Sequence, residues 1–152
     1  LTDAAQHPLA KIAAVLGDLE GWHESAGRQE AQLEARLERV RRLRASFSET
    51  EDQASIRAYL EQGLPAFRAV PWWAVGMAEL SGIVRSDDAP DALVAARRIA
   101  EEGRQAYPDS IGGQQCLSMV RSIEAPDFQL SSMMLDAARK RSVQLTHRNI
   151  AQ

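Results

Sequence analysis

A single cysteine, Cys116, leaves the chain unable to close a disulfide on itself, so cysteine usage identifies no compartment. Aromatic residues fill only 5% of the 152 positions, while Ala, Leu, Arg and Glu abound, a balance that favours helix over sheet. No apolar run approaches the roughly 20 residues needed to cross a bilayer, so no membrane span is expected. At a net charge of −3 the chain lacks the basic excess of a dedicated nucleic-acid or membrane-surface binder, although a local basic patch stays open. There is no Gly-x-Ser-x-Gly elbow, no His-Glu-x-x-His and no phosphate loop, so an enzyme reading has no residues to stand on. The first residue is Leu1, with no signal-like start, and the expectation is a piece of something longer or a processed product.

What remains is an ordinary globular composition, 45% hydrophobic and 26% charged, on a chain long enough to build one core without staples. Apolar residues recur at helical spacing through residue 125. Pro8 suits a first helical position, with Leu9, Ile12, Leu16 and Leu19 on one face. Leu33, Leu37 and Val40 mark a second helix. Ser48 with Glu51 reads as a capping box opening a third, which carries Ile56, Leu60 and Leu64. Pro71 opens a fourth with Trp73, Met77, Leu80 and Val84, and Asp88 with Pro90 opens a fifth with Leu93, Ala96, Ala100, Gly103 and Tyr107. Six or so helices with short joints predict a mainly α, antiparallel helical array. Ala96, Ala100, Gly103 and Pro108 stand at tetratricopeptide offsets, so the packing is expected to be tetratricopeptide-like without a true repeat. After Pro126 the period changes. Phe128 and Leu130, then Val143, Leu145 and His147, alternate with polar residues as strands do, and residues 133–141 between them have a helix-forming composition. The expected division is a helical domain over 1–125 and a short β segment over 126–152.

Three stretches could carry chemistry. In "YPDSIGGQQC", Pro108 ends one helix and Asp109 or Ser110 caps the next, on which Gly113, Cys116, Val120 and Ile123 share a face. Cys116 is then a small buried hydrophobe, without the base and exposed setting of a nucleophile. Glu20 and His23 form a Glu-x-x-His pair, but a helical di-iron site needs a second copy, and His7 and His147 have no ligand-spaced partners. No metal and no cofactor are expected. "RVRRLR" at residues 39–44 follows Glu30, Glu34 and Glu38 on one helix, which complements the helix dipole and sets Glu38 against Arg42. A solvated helix face is favoured there over a nucleic-acid patch. Of the pair Trp72-Trp73, Trp73 falls on the core stripe and Trp72 is the surface candidate. The candidate interaction surface is Trp72 with Arg39, Arg41, Arg42 and Arg44.

With these boundaries placed, "AYPDSIGGQQCLSMVRSIEAPDFQL" and "LTHRNI" resemble the junction in bacterial alpha-2-macroglobulin-like proteins between an N-terminal helical region and the first macroglobulin-type β domain. The resemblance rests on Tyr107-Pro108-Asp109-Ser110, Gly112-Gly113 with Cys116, Ile123-Glu124-Ala125-Pro126, and Arg148-Asn149, with His147 in place of the family's usual aromatic residue. "HPLAKI" and the arginine-rich second helix are similar in style. The resemblance implies a large exported, often lipid-anchored bacterial protein of a protease-trapping family, in the periplasm or at the cell surface. Some members carry a thioester between a cysteine and a glutamine three residues later. Here that position is Met119, so Cys116 is not such a thioester. The implied function is a non-catalytic helical scaffold or interaction module, its partners another protein or neighbouring domains of the same polypeptide. The alternative is a free-standing tetratricopeptide-like adaptor. Two strands alone are marginal in water, so Phe128, Leu130, Val143 and Leu145 are expected to pack on the helices or to self-associate through an open edge.

Overall fold

The computed structural model describes residues 7–133 and 142–149. Six α-helices run in order through α1 (Pro8–Ser25), α2 (Gln29–Ser46), α3 (Thr50–Gly63), α4 (Trp73–Arg85), α5 (Ala92–Ala106) and α6 (Ile111–Glu124). A 3-10 turn at Leu64–Phe67 follows α3, and two strands, β1 (Asp127–Met133) and β2 (Ser142–Arg148), come last. The chain is mainly helical with a short antiparallel sheet, as the periodicity predicts. It divides into two compact units, the first ending at Val120 and the second starting at Arg121.

In the first unit α1 lies along α2 and α4 along α5, while α2 and α3 both contact α4. The centre is α4, the most apolar helix, with Trp73, Ala74, Val75, Met77, Leu80, Ile83 and Val84 all buried. The stripes of α2 and α3 bury as their spacing requires: Leu33, Leu37, Val40 and Leu60 are inaccessible to solvent. Along α5, Ala96, Ala100 and Gly103 are buried, and the Ser81 hydroxyl of α4 donates to the Ala96 carbonyl at 2.8 Å. Small residues let the two backbones come this close, and the hydroxyl satisfies its own burial.

Several helix starts differ from expectation. His7 caps α1, its Nδ1 accepting from the Leu9 amide at 3.2 Å, with Pro8 in the first turn as its ring favours. The Ser48–Glu51 capping box does not form: α3 starts at Thr50 behind Glu49 and has no side-chain cap. Gln53, inside α3, instead binds back to the Arg44 carbonyl and to that of Phe47, joining the end of α2 to the start of α3. Helices α4 and α5 begin two residues after Pro71 and Pro90, because each proline sits in a turn before the helix. Pro65 follows Gly63 closely and converts the end of α3 into the 3-10 turn, which keeps Leu64 and Phe67 in the core.

In the second unit Pro126 stops α6 and β1 starts one residue later. β1 and β2 pair antiparallel over seven residues, Asp127 opposite Arg148 through Met133 opposite Ser142. That register places Phe128, Leu130, Val143, Leu145 and His147 on one face, and Asp127, Gln129, Thr146 and Arg148 on the other. Asn149, at φ 55°, turns its side chain back, and its Nδ2 donates to the Ile123 carbonyl at 2.8 Å and to that of Ala125 at 3.3 Å. The end of α6 is thus capped from the far end of the hairpin. The helix-forming stretch expected between the strands lies, over 134–141, outside the described residues.

Candidate interaction surface

The stretch with two glycines and the cysteine is structural throughout. Ser110 Oγ accepts from the Gly113 amide at 3.0 Å and caps α6. Gly112 meets the backbone of α4 so closely that a Cβ there would lie 2.2 Å from the Val75 nitrogen and 2.4 Å from the Ala74 carbonyl carbon. Only glycine permits that approach. One turn on, Cys116 is fully buried and its Sγ donates to the Ala74 carbonyl at 3.3 Å. Burial pushes its thiol up to about 11, far from the range of a reactive thiolate.

Glu20 is likewise spent in structure. It is one of two buried polar residues among those described, and it is gripped from α2 and α3. Arg36 binds Oε1 through Nε at 2.7 Å and Nη2 at 2.6 Å, while Arg39 reaches Oε2 at 3.1 Å and the Tyr59 hydroxyl donates to it at 3.2 Å. Both guanidinium groups lie over the Tyr59 ring, at 5.2 and 4.7 Å. Gly63 makes room for this cluster, since a Cβ there would sit 1.7 Å from Arg36 Nη1. With these four donor contacts Glu20 is engaged on both oxygens, and no group of three metal-ligating side chains occurs among the described residues.

The five candidate surface residues are brought together only in part. Trp72 and Arg41 converge on Glu34, the indole Nε1 donating to Oε2 at 2.8 Å and Arg41 Nη1 to Oε1 at 2.9 Å. Arg41 also bridges to Glu79 on α4 at 3.2 Å. Burial draws the Arg41 guanidinium down, and the bonds to Glu34 and Glu79 outweigh that and hold it above its ordinary value. Arg42 pairs with Glu38 at 2.7 Å, the i,i+4 pair that the spacing predicts, and is the most exposed of the paired arginines of α2. Arg39 faces the other way, into the Glu20 cluster. Arg44 donates to Gln53 Oε1 at 3.1 Å and to Ser86 Oγ at 3.4 Å. The run is therefore less a solvated face than a set of ties from α2 to its neighbours, and only Arg42 fits the simpler description.

Open apolar surface lies elsewhere. On α1, Ile12, Val15, Leu19 and Trp22 follow one another at intervals of three and four residues and are between 40% and 54% exposed. Ile12 and Leu19 were expected to bury with Leu9 and Leu16. Helix geometry splits the set: Leu9 and Leu16 are half-buried, while Ile12 and Leu19 stand roughly 40–60° round the helix from Leu16, on the side of Val15 and Trp22, and are exposed. The spacing of the second stripe was readable in the sequence, but its exposure depends on which face α2 takes. Beside it runs a groove of about 420 Å³ lined by Lys11, Ile12, Val15, Leu16, Glu38 and Arg42. Arg28 stacks on Trp22 at 4.9 Å and closes the stripe at its C-terminal end. The second open surface is the hairpin face, where Phe128, Leu130, Val143 and Leu145 are 56–67% exposed. The sequence leads one to expect these four to pack on the helices or to self-associate through an open edge, and among the described residues all four are exposed.

No model of a known protein family matches this chain. Neither the curated proteins nor the solved structures contain a match to it.

Proposed function

We propose that the chain is a non-catalytic helical scaffold and interaction module that works by presenting apolar surface to other protein. The observation that carries this reading is where the apolar side chains remain in water: one stripe of α1 and one face of the hairpin. Grouped exposure of this kind marks docking sites more often than scattered exposure does. The groups with chemical potential, Glu20 and Cys116, are meanwhile engaged in holding helices together. For its context we favour an exported bacterial alpha-2-macroglobulin-like protein, in the periplasm or at the cell surface, in which the hairpin begins the first β domain. Support for that context comes from the motifs at residues 107–126 and 148–149. The Asn149 amide joins two of them by binding the Ile123 and Ala125 carbonyls.

A free-standing tetratricopeptide-like adaptor is the second reading, favoured by the groove beside α1 and by the small-residue contact of α5 with α4. Sequencing the gene on both sides separates the two. An export signal upstream and several β modules downstream are expected. A reading frame that holds only these helices and strands would overturn the larger context and leave the adaptor.

A further inference from the structure

The outer edges of β1 and β2 are unpaired among the described residues, since the sheet has two strands. Proteins usually guard such edges with proline, a bulge or a charge in mid-strand. This hairpin has none of these. Its seven pairs follow one another without a bulge, neither strand contains proline, and its one carboxylate and one guanidinium, Asp127 and Arg148, sit together at one end, 3.7 Å apart. Its apolar face is also open, and a patch on the order of a few hundred Å² is as large as most monomers carry.

We propose that the partner of these edges is a second copy of this chain, β1 of one copy pairing antiparallel with β2 of the next in the register the hairpin already uses. In that register Asp127 meets Arg148 of the second copy, Leu130 meets its Leu145, and Phe128 meets its His147. Each pair between copies matches residues that already stand opposite one another in the hairpin, with hydrogen-bonded and non-hydrogen-bonded pairs exchanged. Symmetric pairings are poorer: β2 against β2 about Leu145 sets Arg148 opposite Ser142, and β1 against β1 about Leu130 sets Asp127 opposite Met133. Each leaves a charge with no counter-charge across the strand. Charge therefore selects the head-to-tail arrangement, which is not closed by a two-fold axis and frees one edge for every edge it covers. The proposal stands on the hairpin alone and competes with the alpha-2-macroglobulin context, in which later strands of the β domain would take these same edges.

Sedimentation and light scattering of the whole chain over a wide concentration range test it. The mass average should climb past that of a dimer as concentration rises. Asp127→Arg and Arg148→Asp should each stay monomeric where the wild type is assembled, and an equimolar mixture of the two should recover assembly. The double exchange Asp127→Arg/Arg148→Asp should assemble as the wild type does. Each single variant weakens its own hairpin equally whether alone or mixed, so recovery reports contacts between copies and not folding. A wild type that stays monomeric or stops at a dimer overturns the proposal. So do single variants that still assemble, a mixture that stays monomeric, or a double exchange that fails to assemble.

Discussion

At the scale of single residues, the two buried groups with chemical potential, Cys116 and Glu20, act on stability. The folded state holds the Cys116 thiol proton more tightly than the unfolded chain does, because burial raises the group from 9.0 to about 11. Its contribution is therefore fully present below pH 9 and is lost as pH rises through about 11. Urea unfolding of the wild type and of Cys116→Ala should show a stability difference that shrinks across that window; a difference that grows there would contradict the burial account. The same burial should make native labelling by a thiol reagent slow and labelling of the denatured chain fast. Glu20→Gln keeps the shape of the side chain but leaves two guanidinium groups facing a neutral amide in a site where the carboxylate is only 9% exposed. A loss on the order of 3 kcal/mol is expected by chemical denaturation. A loss below about 0.5 kcal/mol would put this cluster in the class of surface pairs.

At the scale of elements, α1 and α2 show what a helix does with more than one apolar or charged stripe. Among the described elements α1 packs along α2, with α3 reaching it through the Tyr59 hydroxyl, and its second stripe stays in solvent. α2 uses its arginines in turn, Arg39 toward α1, Arg41 toward α4 and Arg42 outward. Arg42→Gln removes only an exposed helical pair and should cost at most about 0.5 kcal/mol. Arg41→Gln takes this arginine from Glu79 and leaves Glu34 held by the Trp72 indole, and should cost clearly more, about 1–2 kcal/mol. Unfolding curves of the two variants side by side decide this, and equal losses would mean that Arg41 is no tie. The periodicity made the existence of α1 to α6 and both strands legible, since apolar spacing reports which face a segment hides. The Ser48–Glu51 capping box that the sequence suggested does not form: α3 starts at Thr50 behind Glu49, and its start is tied instead by Gln53, whose partners, the Arg44 and Phe47 carbonyls, are set by how α2 ends.

At the scale of the whole molecule, the helical unit has a filled core around α4, whereas the hairpin has an apolar face with no cover in the described residues. Two strands in water are marginal without further strands or a packed layer. Amide exchange should therefore be much faster at Val143 and Leu145 than at Leu80 or Val84 in dilute solution. Equal protection would show that the hairpin is complete as it stands.

The sequence by itself determined the helices, the change of period at Pro126, the apolar stripe that carries Cys116 and the pairing of Glu38 with Arg42, because each depends on residues close together along the chain. Only the tertiary structure decided what Arg39, Arg41 and Trp72 do. Their partners, Glu20, Glu79 and Glu34, come from helices separated by up to 38 positions, and no local spacing announces which of many acids a guanidinium will meet. Which apolar stripe of α1 stays in water was decided there too. A helix carries its stripes wherever it goes, and the neighbour that covers one of them is chosen by packing.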